Sequence, residues 1–224
     1  MTAPDCQVHS VNVGQPSAVQ IGPRPHVSGI DKRPQPGRVL VSVNGLAGDH
    51  VVDTRNHGGP DQAVYLYTRE DYAHWEALLG ARCRPVALAR TCWSVAWNPP
   101  TCAWGTCWTS GVGGVRLEVT APRIPCATLA AHVGDRDFVR QFVAVARPGF
   151  YTRVLRGGEV GPGDAVRLIP GSANAPSIGD LFALWYDAAP DPARLEQYLN
   201  FPLAVRVRAR VQRRLAEARG ALSP

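Results

Sequence analysis

Alternation of apolar and polar residues marks several strands. Gln7-Val-His-Ser-Val-Asn-Val13 alternates as a half-buried strand does, and Gly14 ends it. Arg38 to Val43 and Gly114 to Thr120 alternate in the same way, and Ala63-Val-Tyr-Leu-Tyr67 is a short apolar run. Phe150 to Leu155 and Ala165 to Ile169 are short segments set around the turns Gly157-Gly158 and Gly161-Pro-Gly-Asp164. Strands so closely spaced, with glycine turns, predict a compact barrel. Helical spacing appears at Thr68–Leu79, where Thr68 suits the N-cap, Glu70 and Asp71 suit the positive end of the dipole, and Tyr72, Trp75 and Leu79 share a face. His74 falls off that face and reads as exposed. A further helix spans Asp135 to Ala146, with Phe138, Phe142 and Val145 on one side, and Pro148-Gly149 breaks it. Residues 14–37 read as loop.

The pattern changes twice more. Residues 170–176 have a linker's composition, and three helices are expected beyond them, over 177–187 with Ser177 as N-cap, 191–200 and 202–219. Leu181, Leu184, Trp185, Leu195, Tyr198 and Leu199 supply a small shared core, too small to stand alone, so this piece should dock on the barrel or on a second subunit. The predicted organisation is therefore mainly β with α, a barrel over 1–170 and a three-helix module over 171–224. Within it, 81–109 is anomalous. No Asp or Glu occurs from Ala77 to Leu117, cysteines and tryptophans crowd together, and no strand or helix period survives. A shifted reading frame in a GC-rich gene yields such a composition; translation of the other two frames tests the idea.

Composition narrows the function. The net charge is +6, and much of the excess sits in the last helix, at Arg206, Arg208, Arg210, Arg213 and Arg214, which reads as a solvated face. Basic and aromatic residues do not interleave, so nucleic acid is not expected. No apolar run approaches a membrane span, and the first residues do not read as a signal peptide. Six cysteines in such a chain point to reduced thiols in a cytoplasm.

Two stretches carry candidate chemistry. Gly45 to Asp61 concentrates glycines, aspartates, histidines and an arginine between two strands, where binding residues tend to sit. Gly58-Gly59-Pro60 lets a ligand approach the backbone, with His57 and Asp61 flanking it and Asp49-His50 before it. The alternative is a solvated loop whose side chains cap nearby backbone. Farther on, Ala121-Pro-Arg-Ile-Pro-Cys126 places Cys126 at a helix start near Arg123. A thiol there has a lowered pKa and is ready to act as metal ligand or nucleophile; the alternative is a small buried apolar residue. Lys32 and Arg33 read as surface charges or as a phosphate contact.

Gly45-Leu-Ala-Gly-Asp49, His57-Gly-Gly-Pro-Asp61 with Ala63-Val64 and Tyr67, and Arg123-Ile-Pro-Cys126 resemble the MOSC domain, named for the C-terminal domain of molybdenum cofactor sulfurase. Ser28-Gly29-Ile30 with Lys32, and Phe150-Tyr151 with Arg153, fit the same pattern, and the C-terminal segment is similar to the three-helix module of the bacterial stand-alone subgroup. The resemblance implies a barrel that binds the molybdenum cofactor, a phosphate-bearing pterin (molybdopterin). It implies Cys126 as the metal thiolate, and Lys32, Asp49, Gly58, Gly59 and Arg123 as cofactor-binding residues. His57 and Asp61 would join Cys126 in catalysis. It further implies reduction of N-hydroxylated compounds such as 6-hydroxyaminopurine, with electrons from a partner flavin reductase, and a homodimer is compatible with it. A Phe-Gly-Glu-Asn-type element usual in the family is missing from 81–109, which leaves a cofactor or sulfur carrier without turnover as the alternative. A pyridoxal phosphate role ranks lowest, since no lysine has a Schiff-base context.

Overall fold

The computed structural model describes residues 6–80, 91–94 (backbone only) and 102–220. Its strands are β1 (Gln7–Gly14), β2 (Ser17–Ile21), β3 (Arg24–Ser28), β4 (Lys32–Pro34), β5 (Val39–Ser42), β6 (Gly45–Leu46), β7 (Val64–Thr68), β8 (Thr91–Ser94), β9 (Cys107–Ser110), β10 (Val115–Pro122), β11 (Phe150–Arg156), β12 (Gly158–Val160) and β13 (Val166–Ile169). The helices are α1 (Arg69–Leu79), α2 (Ala127–Val133), α3 (Phe138–Val145), α4 (Ile178–Ala183), α5 (Pro192–Leu199) and α6 (Val205–Ala218). The large sheet runs β13-β9-β10-β11-β7-β8-β1-β4 and is antiparallel except between β7 and β8. Backbone bonds from Val8 to Asp164, Gly163 to Val8 and Val166 to Cys6 bring β13 back to the start of β1, so the sheet curls into the expected barrel.

β7 explains why the molecule has two cores. All five of its residues are buried. Side chains alternate across a strand, so Val64 and Leu66 enter the barrel interior with Val11, Trp108 and Phe150. Tyr65 and Tyr67 enter the opposite, helix-covered layer. There Trp75 stacks on Phe142 at 5.7 Å and donates from Nε1 to the Tyr67 hydroxyl at 2.6 Å. Thr68 caps α1 by accepting the Asp71 amide, as its sequence position predicts. Ser177 and Asp180 form a reciprocal capping box on α4. The C-terminal helices dock on the barrel's own helical layer, because Leu181, Leu195, Val207 and Val211 share one core with Trp75, Leu129 and Phe138. Among the described residues no helix is long and apolar enough to cross a membrane.

Several expectations are corrected. Residues 14–37 are not loop: β2 and β3 pair as a hairpin about Gly22-Pro23, followed by β4. No residue of either hairpin strand is fully buried, so no strong apolar alternation betrays it. Part of 81–109 is ordered as strand: β8 pairs with β1 and β7, and β9 sits between β10 and β13. Residues 81–90 and 95–101 lie outside the described residues. β12 is a further strand, paired with β5. His74 is half-buried, its ring edge-on to Trp75 at 6.0 Å. The arginines of α6 are not a free face, since Arg206, Arg208, Arg210 and Arg214 each donate to a backbone carbonyl of another segment.

Candidate functional site

Cys126 is the N-cap of α2, placed by Pro122 and Pro125 at the end of β10. It is half-buried. Burial alone would raise its pKa; His57 within hydrogen-bonding reach, the charge of Arg123 and the Leu129 amide outweigh that and bring the thiol down to about 7. The contrast with two cysteines of the barrel interior is large. Burial pushes Cys6 up to about 11 and Cys102 up to about 12. A thiolate at neutral pH is the form that binds soft metals or attacks electrophiles.

The loop from Ala47 to Gly59 delivers His57. Asp53 folds it by accepting the Arg55 and Asn56 amides and the Asn56 side chain, and its carbonyl accepts the His57 amide at 3.0 Å. That Asn56 bond, with smaller contributions, holds the Asp53 carboxyl below its usual range. Gly58 and Gly59 have φ of +72° and +82°, conformations that side-chain-bearing residues resist, so the hinge requires glycine. Arg123 lies over the Tyr65 ring at 5.0 Å, and the Tyr65 hydroxyl is fixed by donating to Pro148 O at 2.7 Å.

These groups border a cavity of about 280 Å³, close to the lower size of small-molecule sites. The hairpin residues His26 and Ser28, then Gly29, Lys32, His50 and Asp53, complete its wall together with Thr128 and Tyr151. Gly29 is needed for a backbone crossing: a Cβ there would lie 2.1 Å from His50 O. Lys32, the chain's only lysine, is buried rather than a surface charge, because it pairs with the equally buried Asp49. Asp49 also accepts the Gly14 amide at 2.8 Å. Arg123 and the Asp49-paired Lys32 are the fixed cations of this wall, Asp53 is its carboxylate, and His26, His50 and His57 add hydrogen-bonding nitrogens.

Of the residues singled out from sequence, Cys126, His57, Arg123 and Lys32 come together at this cavity. Asp49, Gly58 and Gly59 stand behind it. Asp61 is placed differently. Its Oδ2 accepts the Val205 amide at 2.8 Å, and its Oδ1 pairs with Arg153 at 2.8 Å. It thus caps the start of α6 and does not border the cavity. Sequence reasoning did not find His26, Tyr65, Thr128 and Tyr151. Tyr65 and Tyr151 sit in strands with both faces buried, and His26 sits in the unrecognised hairpin. Among the described residues no group of three or more His, Cys, Asp or Glu side chains could hold a metal ion unaided. A metal at Cys126 would need to arrive with most of its own ligands.

Residues 53–167 match the family model described as MOSC domain. The "Uncharacterized protein YflK" of Bacillus subtilis (strain 168) is 29% identical over 193 residues, 86% of each chain. A Gibberella moniliformis protein named "Reductase" is 29% identical over 149 residues, which are 63% of this chain and 26% of that one. The crystal structure of YiiM from Geobacillus stearothermophilus superposes with a TM-score of 0.76 at 27% identity, covering 94% of this chain and 100% of that one.

Proposed function

Since the chain belongs to the MOSC domain family, we propose that it binds the molybdenum cofactor in the cavity at Cys126 and reduces N-hydroxylated small molecules, using electrons from a partner flavin reductase. The observation that carries this reading is the thiol with a pKa of about 7 opening on a cavity lined by Arg123, Lys32 and three histidines. The residues fit such a group. Cys126 offers one soft ligand, while Arg123, His26 and His50 suit a phosphate. When bound, the group would supply a metal able to pass electron pairs to an N–O bond. Lys32 stands in the same wall, its charge offset by Asp49. Tyr65, locked to Pro148 O, holds the Arg123 guanidinium over its ring.

The reaction R–NHOH + 2e⁻ + 2H⁺ → R–NH₂ + H₂O breaks the N–O bond and needs two protons. A ring nitrogen of His57, beside the sulfur, is placed to give one of them to the leaving hydroxyl. Asp61 takes a supporting part in this reading: it fixes α6 and, through the 58–61 turn, the His57 loop. A cytoplasmic setting and a homodimer belong to the same proposal. The experiment is expression with molybdate, molybdenum analysis of the purified protein, and reduction of 6-hydroxyaminopurine with a flavin reductase and reduced nicotinamide. Metal bound and turnover abolished by Cys126→Ala is the expected result. Metal without turnover would make the protein a carrier, and turnover retained in Cys126→Ala would remove the site assignment.

A further inference from the structure

The outer face of the barrel carries a row of unbalanced like charges. Arg116 in β10 stands opposite Arg156 of β11 on one side and Thr109 of β9 on the other, and Thr109 stands opposite Arg167 of β13. Residues directly opposite in antiparallel strands project from the same face. The three arginines are exposed, while Val115 and Leu117 on either side of Arg116 are buried, so the row faces solvent. With neighbouring strands about 4.8 Å apart, Arg156 and Arg116 start about 5 Å apart, and Arg116 and Arg167 about 10 Å apart.

Like charges directly opposite one another destabilise a sheet. The next row shows that the same sheet can balance them. Two residues along β10, Glu118 reaches Arg153 at 3.5 Å, and Arg153 also pairs with Asp61 at 2.8 Å. Among the described residues no carboxylate pairs with Arg116, Arg156 or Arg167. Two of the guanidiniums lean to opposite sides of the row. Arg116 donates to Cys107 Sγ at 3.7 Å, toward the Glu118 row. Arg156 reaches over Gly114, where a Cβ would lie 3.7 Å from its Nη1. Sulfur is a weak acceptor, so most N–H groups of these forks are left for an outside partner.

Two features decide what kind of anion fits. Exposed aliphatic side chains flank the row, Leu155 just before Arg156 and Ile169 two residues beyond Arg167. The aromatic side chains of these four strands, Trp108, Phe150 and Tyr151, are all buried, so a nucleic-acid base has no ring to stack on. Arginine forks match carboxylates in pairs of hydrogen bonds, and arginine beside apolar side chains is the make-up of protein interfaces.

We propose that this face is a docking surface for an acidic protein segment, whose carboxylates engage Arg116, Arg156 and Arg167 and whose aliphatic side chains rest on Leu155 and Ile169. The row lies at the far end of β10 from the cysteine, since the strand from Arg116 to Pro122 spans about 20 Å. The proposal is therefore independent of what the cysteine cavity binds.

The test uses the full chain and a fluorescent peptide of about ten glutamates and two leucines, followed by anisotropy at about 20 mM salt. Wild type is expected to bind below about 1 mM, with affinity falling as salt is raised to about 150 mM, where the screening length is about 8 Å. Replacing Arg116, Arg156 and Arg167 together by Gln should weaken binding at least tenfold. Replacing the exposed Arg24, Arg136 and Arg213 by Gln removes the same charge elsewhere and should change it less than threefold. Should the first triple variant fail to melt cooperatively, the three single variants take its place, each weakening binding at least twofold. Without peptide, Arg116→Gln should melt at or above the wild-type temperature at low salt, because a like-charge contact is gone. No binding by wild type, or equal losses in the two triple variants, overturns the proposal. So does an oligothymidylate of about ten nucleotides bound as tightly as the peptide, because the face would then read phosphate. A lowered melting temperature for Arg116→Gln would make that arginine a structural residue and overturns it as well.

Discussion

Replacing His57 by Ala removes the largest of the influences that lower the Cys126 pKa, since the imidazole ranks ahead of Arg123 and the Leu129 amide. With the thiol at about 7, half of it is thiolate at neutral pH. Without the imidazole, burial is opposed by less, and the pKa moves up toward the ordinary 9.0. A full return to that value would cut the thiolate fraction at pH 7 roughly 50-fold. The more basic thiolate is also the better nucleophile, by a Brønsted slope of about 0.4–0.5, which recovers roughly 6- to 10-fold. The alkylation rate at pH 7 therefore falls by at most about five- to eightfold. The midpoint of the pH–rate profile is the sharper readout. It is measured with iodoacetamide and peptide mapping of the labelled residue; Cys6 and Cys102, pushed up to about 11 and about 12, contribute little background. A wild-type midpoint near 9, or one that His57→Ala leaves in place, would refute the account of the site's electrostatics.

Three further outcomes follow from the packing. Asp61→Ala strips the first turn of α6 of its acceptor and Arg153 of its partner, costing about 1–3 kcal/mol by urea unfolding, with Asp61→Asn recovering the capping share; a loss under about 0.5 kcal/mol would show the carboxylate to be idle in folding. Lys32→Met leaves a buried carboxylate unpaired and costs about 3–5 kcal/mol, while adding Asp49→Asn, which keeps the bond from Gly14, restores most of it; equal unfolding midpoints for the single and double variants would contradict this. Trp75→Ala empties the centre of the helical layer and costs about 3–5 kcal/mol, read by thermal melting against wild type; a melting temperature lowered by only a degree or two would mean that the layer repacks.

Where one face met water and the other met the core, the sequence was easy to read. Thr68, Tyr72, Trp75 and Leu79 announce α1, and Ser177 as an N-cap announces α4. Periodicity fails where that contrast vanishes. β2 and β3 bury no residue fully, and Trp108 in β9 sits among neighbours buried on both faces, so neither shows a strong alternation. The cysteine's chemistry was legible because a helix start and an arginine are local features. Lys32 and the α6 arginines were not, because burial of a charge depends on partners distant in sequence: Asp49 for the lysine, Thr54 and Gly58 for Arg206. Asp61 was recognised as important from its place beside the glycines, but its task, capping a helix 144 residues away, leaves no local trace.

That long reach has a temporal side. A ribosome adds about 5–20 residues per second, so the 144 residues between Asp61 and Val205 take roughly 7–30 s to make. Over the last 79 of those residues (205 − 126), roughly 4–16 s, the nascent chain already has its cysteine but lacks the last helix that braces the histidine turn. The newborn protein therefore passes through a stage in which the sulfur is present and the wall around it is unfinished.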